Sequence, residues 1–164
     1  MLAKRTFFLG LIAIAVSSLS ASAQLPKSAT PQTLAVTVQK IDSVSVSGAP
    51  TITLATAGTA VSATGTAPSL YFATNSDTAR KVVVKMNSVT SELTITLSAA
   101  VTNIDAAVAA TGSGPIVLDA TDKDLVSGIV SGSGNAALDY KASGTLKLKP
   151  GDYSKTVTYT LMLQ

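Results

Sequence analysis

Apolar residues recur at every second position along most of this chain, and that period restricts its fold more than any other feature. Val157, Tyr159, Leu161 and Leu163 alternate with Thr156, Thr158, Thr160 and Met162. Leu93, Ile95 and Leu97 alternate with threonines, while Val82, Val84 and Met86 share a face opposite Lys81 and Lys85. The same spacing relates Leu34, Val36 and Val38, then Val44 and Val46, Ile52 and Leu54, Leu70 and Phe72, Ile116 and Leu118, and Leu146 and Leu148. Leu125 belongs to a further short run. Successive side chains of a strand point to opposite faces, so each segment has one face to bury and one to wet.

Turn-forming residues separate the runs. They include Gly48-Ala49-Pro50, Asn75-Ser76-Asp77, Gly112-Ser113-Gly114-Pro115, Gly132-Ser133-Gly134-Asn135 and Pro150-Gly151-Asp152. Each of these reads as a loop or turn. Residues 99–110 are rich in alanine and suit a helical turn, against which β-branched Val101, Thr102 and Ile104 argue. Many short strands divided by turn signals predict an all-β protein. The expected fold is a single Ig-like antiparallel β-sandwich of about seven to nine strands.

The N-terminal segment has a different pattern. Lys4 and Arg5 precede the apolar run Phe7–Val16, which leads to small residues ending in Ala21-Ser22-Ala23. These are the three zones of a secretory signal peptide. The apolar run covers about ten residues, where a membrane-crossing helix needs roughly 20. The predicted organisation is a cleaved signal peptide over 1–23, an extended lead-in over 24–32 holding Pro26 and Pro31, and a β-sandwich over 33–164. No membrane span remains after cleavage, and the expected location is secreted or at the cell surface, with passage through a periplasm.

Cleavage changes the charge. Removing Lys4 and Arg5 from 12 basic residues leaves ten against nine acidic ones, so +3 becomes +1. No clustered basic footprint for nucleic acid is left. Charged residues make up only 13% of the chain, and the wet strand faces carry Ser and Thr instead. Thr156–Gln164 has no charge at all, so it is an aggregation hazard unless it is paired in a sheet.

Catalytic chemistry finds little support. The chain has no His and no Cys, which excludes Ser-His-Asp and Cys-His relays, thiolate sites and disulfides. Glu92 is the sole Glu, and it stands directly before an expected strand. The Gly-Ser stretches at 112–114 and 132–134 lack the Lys-Ser/Thr of a phosphate loop. The expected protein is not an enzyme and requires no cofactor. The densest acidic group is Asp119, Asp122 and Asp124, whose oxygens make a calcium candidate. Lys123 lies among them, and a solvated turn is the favoured reading. Tyr153 follows Pro150-Gly151-Asp152 and is expected to open the last strand, cover the end of the core and hydrogen-bond to backbone, as tyrosine corners do.

The closing segment Lys149-Pro150-Gly151-Asp152-Tyr153-Ser154-Lys155-Thr156-Val157-Thr158-Tyr159-Thr160-Leu161 resembles the last strand of secreted fimbrial-type β-sandwiches. Spore-coat-protein-U-like proteins and chaperone–usher pilus subunits are the groups it is most similar to. The resemblance implies an Ig-like building block of a surface structure or filament, self-associating by strand complementation. Leu34, Val36 and Val38 are then the donor-strand candidates, although the same residues also suit the first strand of their own sandwich. Two further readings stand beside this one. The first is an extracellular module that binds glycan or another surface ligand with loops at one end. The second is an adhesion domain stabilised by calcium at Asp119–Asp124.

Overall fold

The computed structural model describes residues 33–64, 66–105 and 109–164, and these contain ten strands and no helix. The expected signal peptide over 1–23 and the lead-in over 24–32 lie outside the described residues. The chain divides into two units, Met1–Thr37 and Val38–Gln164. Of the first unit, residues 33–37 are exposed and hold no strand. All ten strands belong to the second unit.

That second unit is an antiparallel β-sandwich. Its first sheet follows the order β1 (Asp42–Ser47), β3 (Ser69–Thr74), β9 (Gly132–Gly144), β5 (Leu93–Asn103) and β7 (Ile116–Val117), with β2 (Val61–Ser62) also on β9. The second follows β10 (Val157–Leu163), β4 (Arg80–Met86), β8 (Lys123–Ile129) and β6 (Thr111–Gly112). The backbone of the first sheet is the β5–β9 ladder, which runs unbroken from Leu93 opposite Gly144 to Asn103 opposite Gly134.

The period-two pattern places the core as expected. Leu70, Phe72, Leu97 and Leu138 from the first sheet meet Val82, Val84, Met86, Leu125 and Ile129 from the second. Phe72, Leu97, Leu125 and Ile129 are fully buried. Burying each such side chain contributes about 1.5–3 kcal/mol.

Four expectations are corrected. Gly132-Ser133-Gly134-Asn135 is not a loop but the first part of β9. A Cβ at Gly134 would stand 2.5 Å from Phe72 Cζ, so the glycine makes room for the largest buried ring. Residues 99–103 are strand rather than helical turn, because Ala99 faces the core in β5 and its neighbours pair with β9; residues 106–108 lie outside the described ones. Leu146–Lys149 forms a turn closed by the Leu148 amide donating to the Thr145 carbonyl at 3.0 Å. Alternation there reflects one inward Leu148 and an exposed Leu146, without a ladder partner. The segment 33–38 is not a strand, and the first strand starts at Asp42, where β3 supplies a partner.

Candidate functional site

The sandwich has one side sealed by a crossing of the chain and one bounded by two free edges. On the sealed side the chain passes from β6 in one sheet to β7 in the other. Ser113 in between ties both: its amide donates to the Leu125 carbonyl at 2.8 Å, and its carbonyl accepts from the Ala99 amide at 3.3 Å. Gly112 permits the crossing, since a Cβ there would run into the Ala99 carbonyl oxygen. Edge strands of two residues and a covered gap leave little template for another chain.

The opposite side ends in β1 and β10, each hydrogen-bonded along one edge only. Their directions follow from register. Asp42 of β1 lies opposite Thr74, and its Oδ1 stands 3.5 Å from Nε of Arg80, the residue paired with Leu163 at the end of β10. The inward residues of these strands are incompletely covered. Val44, Val157, Tyr159 and Leu161 are half-buried against the core, and Val46 is 41% exposed although it shares a face with Val44. Ile95 and Val101 of the central strand β5 are likewise only partly buried. β1 and β10 lie against each other as neighbouring edges of the two sheets.

Beyond Val46 the seam widens into a groove of about 1030 Å³. Residues 48–57 form one wall and 145–155 the other, over a floor that includes Leu93, Ile95, Tyr140 and Ala142. Val157 and Tyr159 line it where β10 begins. The hydroxyls of Tyr140 and Tyr159 hydrogen-bond to each other across the two sheets. Burial pushes both phenols above their ordinary pKa. Thr156–Gln164, which includes β10, carries no charged side chain.

The donor-strand candidates Leu34, Val36 and Val38 are 83%, 74% and 77% exposed. Three alternating apolar side chains therefore stand in water, and three alternating inward residues of β10, Val157, Tyr159 and Leu161, lack full cover. Both triplets recur at every second residue, but only the second lies in a strand.

The acidic candidates are not brought together. Asp119 pairs with Lys123 at 3.0 Å, Asp122 with Lys85 at 3.4 Å, and Asp124 with Lys81 at 2.9 Å. Hydrogen bonds from the Thr121 hydroxyl and amide, with Lys123 beside them, hold the Asp119 carboxyl down at about 2. Among the described residues, no group of three His, Cys, Asp or Glu is placed to hold a metal ion. Tyr153 precedes β10 by four residues instead of opening it. Its hydroxyl donates to the Lys149 carbonyl at 2.8 Å, while its ring stays exposed at the groove rim. It braces the 149–153 turn and leaves the core end uncovered.

The uncharged Thr156–Gln164, a hazard unless paired in a sheet, finds that pairing along β4 over Val157–Leu163. Sequence reasoning did not identify Asn75, which the ladder places at the exit of β3 beside the start of β1. No family model and no curated protein matches the chain. What the fold defines is an antiparallel two-sheet β-sandwich whose free edges on one side are β1 and β10.

Proposed function

We propose that this protein is a secreted, non-catalytic structural subunit of the cell surface that assembles with copies of itself by strand complementation. The observation that carries the reading is the half-covered apolar seam between β1 and β10, together with the exposed triplet Leu34, Val36 and Val38. A strand from a second copy, laid on the free edge of β10, satisfies that edge's backbone groups and covers Val157, Tyr159 and Leu161. The absence of His and Cys agrees with a role that needs no catalytic relay. So does the pairing of each Asp119–Asp124 carboxylate with a lysine.

The test is removal of residues 24–38 from the exported protein. The reading expects the full protein to form concentration-dependent assemblies, visible as filaments or oligomers by electron microscopy, and the shortened protein to remain monomeric. A full-length protein that stays monomeric at high concentration contradicts it. So does a shortened protein that assembles equally well.

A binding module is the second reading, favoured by one observation: Tyr140, Tyr153 and Tyr159 all line the groove. Aromatic rings suit sugar faces. However, Tyr140 is buried, and each of the three hydroxyls already has a protein partner. The unsealed edge therefore weighs more than the tyrosines.

A further inference from the structure

The groove beyond Val46 differs in charge from the rest of the sandwich. Lys40, Lys81, Lys85, Lys123 and Lys141 each form an ion pair with an aspartate. The other lysines among the described residues are Lys147, Lys149 and Lys155, and none of them is in an ion pair. All three fall within the 145–155 stretch. Lys149 and Lys155 line the groove, and Lys147 stands between the lining residues Leu146 and Leu148. The opposite wall, 48–57, holds no charged residue. Two acids are near: Asp152 lines the same wall as the lysines, and Glu92 precedes Leu93 of the floor. Neither pairs with a lysine.

Lys155 is also fixed in place. Its ammonium donates to the Thr90 hydroxyl at 2.8 Å and to that of Ser88 at 3.2 Å. An ammonium has three donors. Two neutral hydroxyls leave its third N–H unused and its charge unbalanced.

The body of the groove is apolar. Ile52, Leu54, Ile95 and Leu148 line it, each only half-buried. A Cβ at Gly144 would meet Leu148 Cδ2 at 2.7 Å and Leu54 Cδ1 at 3.3 Å, so leucines from the two walls converge over the end of β9. Leu146 beside them is 93% exposed. The volume of about 1030 Å³ matches the upper end of small-molecule sites, about 300–1,000 Å³. Apolar surface with unbalanced cations on one rim calls for one molecule with both properties. A neutral sugar or a neutral strand leaves the cations unused.

We propose that the groove binds a single-chain anionic amphiphile, a long-chain fatty acid anion, with its chain over Ile52, Leu54, Ile95 and Leu148 and its carboxylate among Lys147, Lys149 and Lys155. This extends the binding reading from sugar to amphiphile. It does not depend on strand complementation, so each can fail without the other.

The chain has no Trp, and Tyr140, Tyr153 and Tyr159 line the groove, so tyrosine emission reports on it. The full exported protein is titrated with dodecanoate below its micelle concentration, and calorimetry gives the stoichiometry. The expected result is saturable binding of a single ligand per chain. Decanoate binds more weakly, by up to about fourfold per methylene removed. Acetate leaves the emission unchanged. Dodecyltrimethylammonium, with the same chain and a cationic head, binds more weakly by about tenfold or more. Lys147→Gln combined with Lys149→Gln removes two exposed, unpaired charges and weakens dodecanoate binding about tenfold with the melting temperature unmoved. The comparison of head groups needs no variant. Absence of saturable dodecanoate binding overturns the proposal. So does equal affinity for the two head groups, or an affinity unmoved in the double variant, since either leaves only adsorption to apolar surface. Binding to vesicles rich in anionic phospholipid, with none to free dodecanoate, assigns the lysines to a membrane surface and likewise overturns it.

Discussion

The hydroxyl of Tyr140 on β9 meets that of Tyr159 on β10, and this is a side-chain hydrogen bond spanning the two sheets beside the open groove. Burial raises both phenols above their ordinary pKa, so the folded state resists ionisation that the unfolded chain undergoes near 10. A raised folded pKa gives stability that is complete below the unfolded value and is lost as pH climbs toward the folded one. The melting temperature should therefore hold steady through neutral pH and fall above about pH 10. Tyr159→Phe should cost about 1 kcal/mol at neutral pH and flatten that alkaline decline, which thermal melts across pH would show.

Phe72 lies directly over Gly134, with room for a hydrogen and none for a methyl group. Gly134→Ala must push the ring or the strand aside, at a cost of about 1–3 kcal/mol. Gly114→Ala meets nothing within 4 Å and should leave stability nearly unchanged. Chemical denaturation of the two variants side by side checks the contrast. Equal midpoints would show that β9 does not pass beneath Phe72 as described.

The second sheet carries its charges as lysine–aspartate pairs on the solvent face, and each aspartate of 119–124 is engaged in one. Exposed pairs of this kind contribute about 0–1 kcal/mol. Asp122→Asn should shift the denaturation midpoint very little. Calcium titration should leave the melting temperature unmoved, because three lysines stand where a cation would have to enter. Lowered pKa values at Asp119 and Asp42 add an acid limb. For Asp42 the Lys40 hydrogen bond is the main cause, followed by Thr74. A lowered folded pKa gives stability present above the ordinary carboxylate value and lost as pH falls below it, so unfolding at low pH should begin under about pH 4. A calcium-dependent rise in melting temperature would contradict this account of the loop.

Much of the fold was legible because apolar alternation is a direct image of one-sided burial. Val82, Val84, Met86, Leu93 and Leu97 all lie inward as their spacing predicts. β9 was hidden, because its inward residues are Gly134, Ala136, Leu138, Tyr140, Ala142 and Gly144. Small residues there accommodate Phe72 and Leu148, and close approach of this kind looks like loop composition in one dimension. The turn at Leu146–Lys149 misled for the converse reason, since four residues can alternate without any partner to pair with. The seam was half legible. A charge-free Thr156–Gln164 signalled a segment that must pair in a sheet, yet which strands end as free edges depends on long-range pairing. Asn75 gave no signal beyond that of a turn residue. Its side chain carries on a ladder that its own backbone has left.

Strand complementation makes two separate segments change together. Hydrogen–deuterium exchange of the full exported protein, followed residue by residue over a dilution series, reads both at once. At high concentration the account predicts protection rising in step at Leu34–Val38 and along Val157–Leu163, with both returning to fast exchange on dilution, while β5 and β9 stay protected throughout. Exchange at the two segments that is independent of concentration would contradict it.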